Sequence, residues 1–181
     1  MIEHSVRLHM FSGVTSYVLA DDGLVVQAGE NAKRVLYADI ESVRLISYAS
    51  FESWQAQCTI ATRSQGKVIV RSHHFVSVGE FEDRSATYAT FVRDLCLRVR
   101  AANANARFIQ GSGGLQMGWL IVLLMAGMGG AIWIAAVYEG VASVWHAFAV
   151  LAILALGGYL GLHGLAGNKV KHFDPANPPV P

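Results

Sequence analysis

Between residues 108 and 168 this chain carries one charged side chain, Glu139. No other feature limits the fold so strongly, because a run of that length without a polar face does not wrap into a small water-soluble core. Residues 115–138, LQMGWLIVLLMAGMGGAIWIAAVY, and 144–166, VWHAFAVLAILALGGYLGLHGLA, hold no charge at all. At about 1.5 Å per residue each reaches roughly 35 Å as a helix, enough to cross a hydrocarbon core of about 30 Å. The intervening residues, EGVAS, allow only a tight turn. The spacing predicts a two-helix transmembrane hairpin.

The flanks predict its orientation. Arg93, Arg98, Arg100 and Arg107 precede the first span, Lys169 and Lys171 follow the second, and the turn has neither Lys nor Arg. Positive flanks stay cytoplasmic, so both termini are expected inside, with Glu139 solvated on the far face. Trp119, Tyr138 and Trp145, with Arg107, Lys169 and Lys171, are the expected interface anchors. His146 and His163 lie near span ends, within reach of headgroups and water. Gly127, Gly130 and Ala131 share a side of the first span, and Gly157, Gly161 and Gly164 mark the second. Small residues let backbones approach closely, either packing the hairpin on itself or joining copies in a homo-oligomer. The N-terminus shows no signal-peptide pattern, so the expected location is the inner membrane, multi-pass, with the first 107 residues cytoplasmic.

Those residues hold 12 of the 14 Lys+Arg and 11 of the 13 Asp+Glu. A nearly neutral domain lacks the cation cluster that displaces counterions from nucleic acid, which excludes that class of partner. Cys58 and Cys96 are too few for a disulfide framework or zinc site and read as packing residues. Short apolar runs meet at an Asp22-Gly23 turn and again around Ser64-Gln65-Gly66, with strands expected over 58–63 and 67–75. Beyond Asp83 the period changes: Tyr88, Phe91, Val92, Leu95 and Val99 form a helical stripe, with Asp83 or Ser85 as the cap and Leu97 on the opposite side. The expected organisation is a β domain with closing helix over 1–104, a linker over 105–114, the hairpin over 115–166, and an extended Pro-rich tail over 167–181.

The ADDGL hairpin, the LYADIESVRL stretch, the TIATRSQGKVIVRS hairpin and the closing helix together resemble the pleckstrin-homology-like domains of bacterial membrane proteins, over residues 11–103. The resemblance implies a curved seven-stranded barrel plugged by the helix, and a binding or assembly role without catalytic residues. The expected fold class is thus an α+β membrane protein: a small antiparallel barrel closed by a helix, then the hairpin. Phosphoinositide-binding members of the wider fold set Lys and Arg around the first hairpin. The turn Ala20-Asp21-Asp22-Gly23 offers carboxylates instead, which repel a phosphorylated headgroup.

Signatures of catalysis are missing from the sequence: it has no GxSxG, HExxH, CxxC or phosphate-binding glycine loop, and nothing calls for a cofactor or metal. Adjacent His73 and His74 point to opposite faces of a strand. Glu80, Glu82 and Asp83 read as an acidic turn, and Phe51 and Trp54 as core aromatics. The expected function is a non-enzymatic inner-membrane adaptor that binds a peptide, a protein or its own copies, by strand-edge addition. The alternative is an accessory or sensor subunit using the hairpin as its interaction element.

Overall fold

A computed structural model describes residues 2–49, 54–140, 154–155, 158–159, 162 and 169–180. They fall into two compact units, Met1–Gly111 with Val170–Pro181, and Ser112–Lys169.

In the first unit the chain runs β1 (Ile2–Arg7), β2 (Val14–Leu19), β3 (Gly23–Ala28), β4 (Asn31–Leu36), a 3-10 turn (Tyr37–Asp39), β5 (Ile40–Ala49), β6 (Trp54–Thr62), β7 (Gly66–Arg71), β8 (His73–Ser77), β9 (Glu80–Asp83), α1 (Ser85–Ala102), β10 (Arg107–Gln110) and β11 (Lys171–His172). Period-two burial makes these strands: Thr15, Tyr17 and Leu19 of β2 point inward while their neighbours face outward. Strands β1 to β4 form an antiparallel meander, and a second sheet has the order β11-β10-β5-β6-β7. The β8–β9 hairpin stands as a third sheet.

Helix α1 closes the core. Tyr88, Phe91, Val92, Leu95, Cys96 and Val99 are buried in one cluster with Val6, Tyr17, Leu24, Val35, Val43, Ile60 and Val70 from both larger sheets. Each such large side chain contributes about 1.5–3 kcal/mol on burial, which outweighs the sub-kilocalorie helix penalties of Thr and Val. At its start, Asp83 Oδ1 accepts the Ser85 backbone N–H at 2.9 Å. At its end, the Asn103 side chain donates to the Ile40 carbonyl at 2.9 Å and accepts from the Asn105 N–H. Asn103 therefore ties the helix stop to β5.

Three stretches differ from the sequence reading. The strand expected over 67–75 is two strands in different sheets, because Ser72 turns the chain. Its N–H donates to the Ala56 carbonyl, its hydroxyl accepts the Ala56 N–H, and its carbonyl accepts the Arg84 N–H. The stretch expected as a linker contains β10, which runs parallel to β5 and buries Phe108 and Ile109. The tail does not project. β11 pairs antiparallel with β10, Phe173 meets Phe108 edge-on at 5.8 Å, Pro178 is buried and Val180 packs on the core.

The expected fold class is corrected. The parallel β10–β5 pairing rules out a purely antiparallel sheet, and the strands divide into separate sheets. The described residues contain two helices, α1 and α2 (Gly113–Tyr138), and one segment long and apolar enough to cross a membrane, Gln116–Tyr138. A hairpin needs a second continuous span of about 20 residues. None is shown: over 144–166 only Leu154, Ala155, Gly158, Tyr159 and Leu162 are described, as isolated helical positions. What stands is a mixed α+β fold. Helix α2 ends where Gly140 takes a φ of +73° and its N–H reaches the Val137 carbonyl, a left-handed stop that suits glycine.

Candidate functional site

A binding site for an extended peptide needs a sheet edge with free backbone groups and pockets for side chains. Two edges of the β domain differ sharply in this respect. On β7 the Ile69 carbonyl accepts the Tyr17 hydroxyl at 2.7 Å, and the Arg71 carbonyl accepts His4 Nε2 at 2.8 Å. Side chains from the first sheet thus close that edge. Burial pushes the Tyr17 hydroxyl up to about 12, so it remains a donor at physiological pH.

Strand β4 is the other edge. Asn31, Ala32, Lys33, Arg34 and Leu36 are all exposed, and Val35 alone is buried. The β6–β7 turn touches it lightly: Gln65 Nε2 donates to the Arg34 carbonyl at 2.9 Å, and Lys33 Nζ to the Gln65 carbonyl at 2.7 Å. Arg34 pairs with Asp22 and holds that carboxyl below its usual range.

Beside Leu36, the last residue of β4, lies a cleft of about 540 Å³ lined by Asp21, Leu36, Tyr37, Arg98, Ala101 and Ala102, among others. Its walls are fixed from three elements. The Ala20 carbonyl accepts both the Tyr37 hydroxyl at 2.9 Å and Arg98 Nη1 at 3.0 Å, while Arg98 Nε reaches Asp94 at 2.6 Å. Those bonds join the β2–β3 turn, the 3-10 turn and the last turns of α1. A mostly apolar floor with Arg98 and Asp21 at the rim suits an apolar side chain on a polar backbone.

A second cavity, about 400 Å³, opens at the start of α1 between Glu3, His4, Ser5, Glu82, Arg84 and Thr87. Ser72, His73 and Asp83 lie nearby: Ser72 Oγ is 2.8 Å from His73 Nδ1, and His73 Nε2 is 3.8 Å from Asp83. The residue types are those of an acyl-transfer triad, but the geometry is not. Ser72 is fully buried and its hydroxyl already accepts the Ala56 N–H, while Asp83 caps Ser85. His4 sits among Tyr17, Tyr88 and Phe91 with its Nδ1 3.1 Å from the Thr87 hydroxyl. Burial lowers its pKa, so it is a neutral core histidine.

Glu80 accepts the Ser77 hydroxyl, Glu82 pairs with Arg84, and Asp83 accepts the Ser85 N–H and hydroxyl one residue before the Arg84 N-cap, so the acidic cluster is shared among three partners. His73 is buried while His74 Nδ1 accepts the Arg7 N–H, on opposite faces of β8. Burial pushes both cysteine thiols up, Cys96 to about 12. Among the described residues no three His, Cys, Asp or Glu side chains are placed to share a metal ion.

Within the apolar unit, Gly127, Gly130 and Ala131 line an open cavity with Leu154 and Gly158, and a Cβ on Gly130 would come within 2.8 Å of Leu154. Trp119 is half-buried in α2, Tyr138 ends that helix fully exposed, and Glu139 follows it. Arg107 opens β10, Lys171 opens β11, and Lys169 is exposed before it. Trp145, His146, Gly157, Gly161, His163, Gly164 and Phe51 lie outside the described residues, as does the side chain of Trp54.

Strand β1 precedes β2, so the acidic turn at 20–23 belongs to the second hairpin, not the first. The first hairpin's connection, residues 8–13, is LHMFSG. The exposed Phe11 at its tip was the available signal. Comparison with protein-family models, with curated proteins and with solved structures finds no match for this chain.

Proposed function

We propose that this chain is a non-enzymatic, membrane-anchored binding module: α2 lies in the inner membrane, and the β domain at its cytoplasmic surface takes an extended segment of a protein partner, or of a second copy, along β4. The observation that carries the reading is the contrast between edges. Side chains of the first sheet occupy the Ile69 and Arg71 carbonyls of β7, whereas β4, where the Gln65 side chain reaches the Arg34 carbonyl, presents five exposed residues and ends beside a preformed cleft. Anchoring is supported by Gln116–Tyr138, which has the length and composition of a span and almost no burial. A strand-rich stretch, β2 to β9, followed by α1 supports the pleckstrin-homology-like reading of residues 11–103. Lys33 on the edge favours an acidic segment as ligand.

The test is purification of the intact chain from its native membrane in mild detergent, beside the Ala32→Pro variant. The Arg34 carbonyl points outward from β4, so two residues earlier Ala32 also presents its N–H to the open side. Proline there removes an edge donor without breaking the β3–β4 ladder. The expected result is a co-purifying protein, or a dimer, that the variant loses. A wild-type chain that emerges as a clean monomer contradicts the proposal.

A further inference from the structure

Among the described residues, the most exposed large apolar side chains of the β domain sit at two hairpin tips. Phe11 in the β1–β2 connection is 88% exposed and Val78 in the β8–β9 connection is 83% exposed. Met10, Val14 and Val76 beside them are exposed as well. Scattered surface apolar residues need no explanation, but these five cluster on neighbouring loops.

Arg7 joins the loops into one surface. Its Nε donates to the Ser12 carbonyl at 2.9 Å and its Nη2 to the Met10 carbonyl at 2.6 Å. Its backbone N–H donates to His74 Nδ1 at 3.2 Å, and its guanidinium carbon lies 5.8 Å from the centre of the Phe75 ring. Ser12 Oγ accepts the N–H groups of Leu8 and His9 and donates to the His9 carbonyl. In the second hairpin, Phe75 meets Phe81 edge-on at 5.7 Å. The tips are therefore held open by bonds of their own. The ordering entropy of a docking loop is already spent on folding, which favours whatever covers them.

Three observations select the occupant. The apolar groups protrude from convex tips, so they suit a deformable phase more than a shaped protein surface. Cations stand just behind them: Arg7, and Arg71, whose Nη1 is 3.4 Å from the Leu8 carbonyl. Of the nearby carboxylates, Glu82 is paired with Arg84, and Glu80 is the one charge that accepts only the neutral Ser77 hydroxyl. Apolar tips below a cationic collar match the acyl boundary below anionic headgroups. The same chain carries an apolar helix of membrane-spanning length, so a bilayer lies within tether distance.

We infer that the β1–β2 and β8–β9 tips dip into the lipid bilayer, with Phe11, Met10 and Val78 at the acyl boundary and Arg7 at the level of the phosphates. This rests on the membrane-anchored reading above and adds a second, peripheral contact to it. The contact fixes how the β domain stands on the surface, and so which way the β4 edge faces.

The experiment uses the full chain reconstituted in vesicles of phosphatidylcholine and phosphatidylglycerol. Single variants Phe11→Cys, Val78→Cys and Asp21→Cys carry an environment-sensitive fluorophore; Asp21 lies on the β2–β3 turn, at the opposite end of the first sheet. Buried Cys58 and Cys96, with raised thiol pKa values, leave the introduced thiol as the reactive one. Labels at 11 and 78 are expected to shift to the blue and to lose emission to lipids spin-labelled high on the acyl chain, while the label at 21 does neither. Equal, water-like emission at all three positions overturns the inference. So does shielding of position 11 that grows with protein-to-lipid ratio without lipid quenching, which assigns the tips to a second copy. Flotation of the same samples separates the two levels. A chain that floats with the vesicles but shows no quenching overturns this contact alone, whereas one that fails to float overturns the anchor as well.

Discussion

His4 shows how a single side chain couples two sheets and a helix. Its Nε2–H donates to the Arg71 carbonyl on the β7 edge, and its ring packs on Tyr88 and Phe91 of α1. Desolvation lowers its pKa below 6.5, with a smaller contribution from Arg84. The unfolded chain therefore binds a proton at a higher pH than the folded one. Above the unfolded value the contribution of neutral His4 to stability is complete, and it is lost as pH falls from about 6.5 through the lowered folded value. Thermal unfolding of the detergent-solubilised chain is expected to show a lower midpoint at pH 5.5 than at pH 7.5. His4→Gln, which retains a donor for the Arg71 carbonyl, should shrink that difference. His74, also lowered by burial, contributes in the same direction and sets the residual slope. An unchanged pH dependence in the variant would assign the effect elsewhere. None of this was legible in the sequence, because the groups that bury His4 lie 67 and 83 residues away. The stripe of Tyr88, Phe91, Val92, Leu95 and Val99 was legible, because helical periodicity is a local signal.

At the scale of elements, the β10–β11 pair decides where the C-terminal tail goes. Two short strands meet across the whole apolar unit, with Ile109 opposite His172 and Gln110 opposite Lys171. A two-residue apolar core such as Phe108-Ile109 carries no period, and its partner lies some sixty residues on, so a linker and a loose tail were the natural expectation. Packing decides otherwise: Phe173 covers Phe108 and donates its N–H to the Phe108 carbonyl at 3.2 Å. Phe173→Ala removes the ring pair and part of its burial, a loss of about 1–3 kcal/mol from this local unit. Amide hydrogen exchange should then speed up at 107–110 and 171–173 while α1 stays protected. Uniform protection in the variant would mean that the tail adds nothing to the sheet. The turns at 20–23 and 64–66 were readable for local reasons, though not always the expected one. Gly66 does take a positive φ of +78°. Gly23 instead admits β4, since a Cβ there would lie 2.6 Å from the Val35 carbonyl oxygen. The β4 edge as a candidate site was beyond sequence reasoning, because exposure of an edge depends on which strands find partners.

At the scale of the whole molecule, the division between a charged part and an uncharged part was plain in composition, and the two compact units follow it at Gly111 and Ser112. The account of function stands on one assignment, that the apolar segment containing Gln116–Tyr138 has lipid as its solvent. Removing a span of that composition into water would expose nearly its whole apolar surface, which no contact among its described residues offsets. The most direct measurement is alkaline carbonate extraction of native membranes followed by sedimentation of the full-length chain. The account predicts that the chain stays with the membrane pellet and is released only by detergent. Recovery in the carbonate supernatant as a monodisperse species would contradict it.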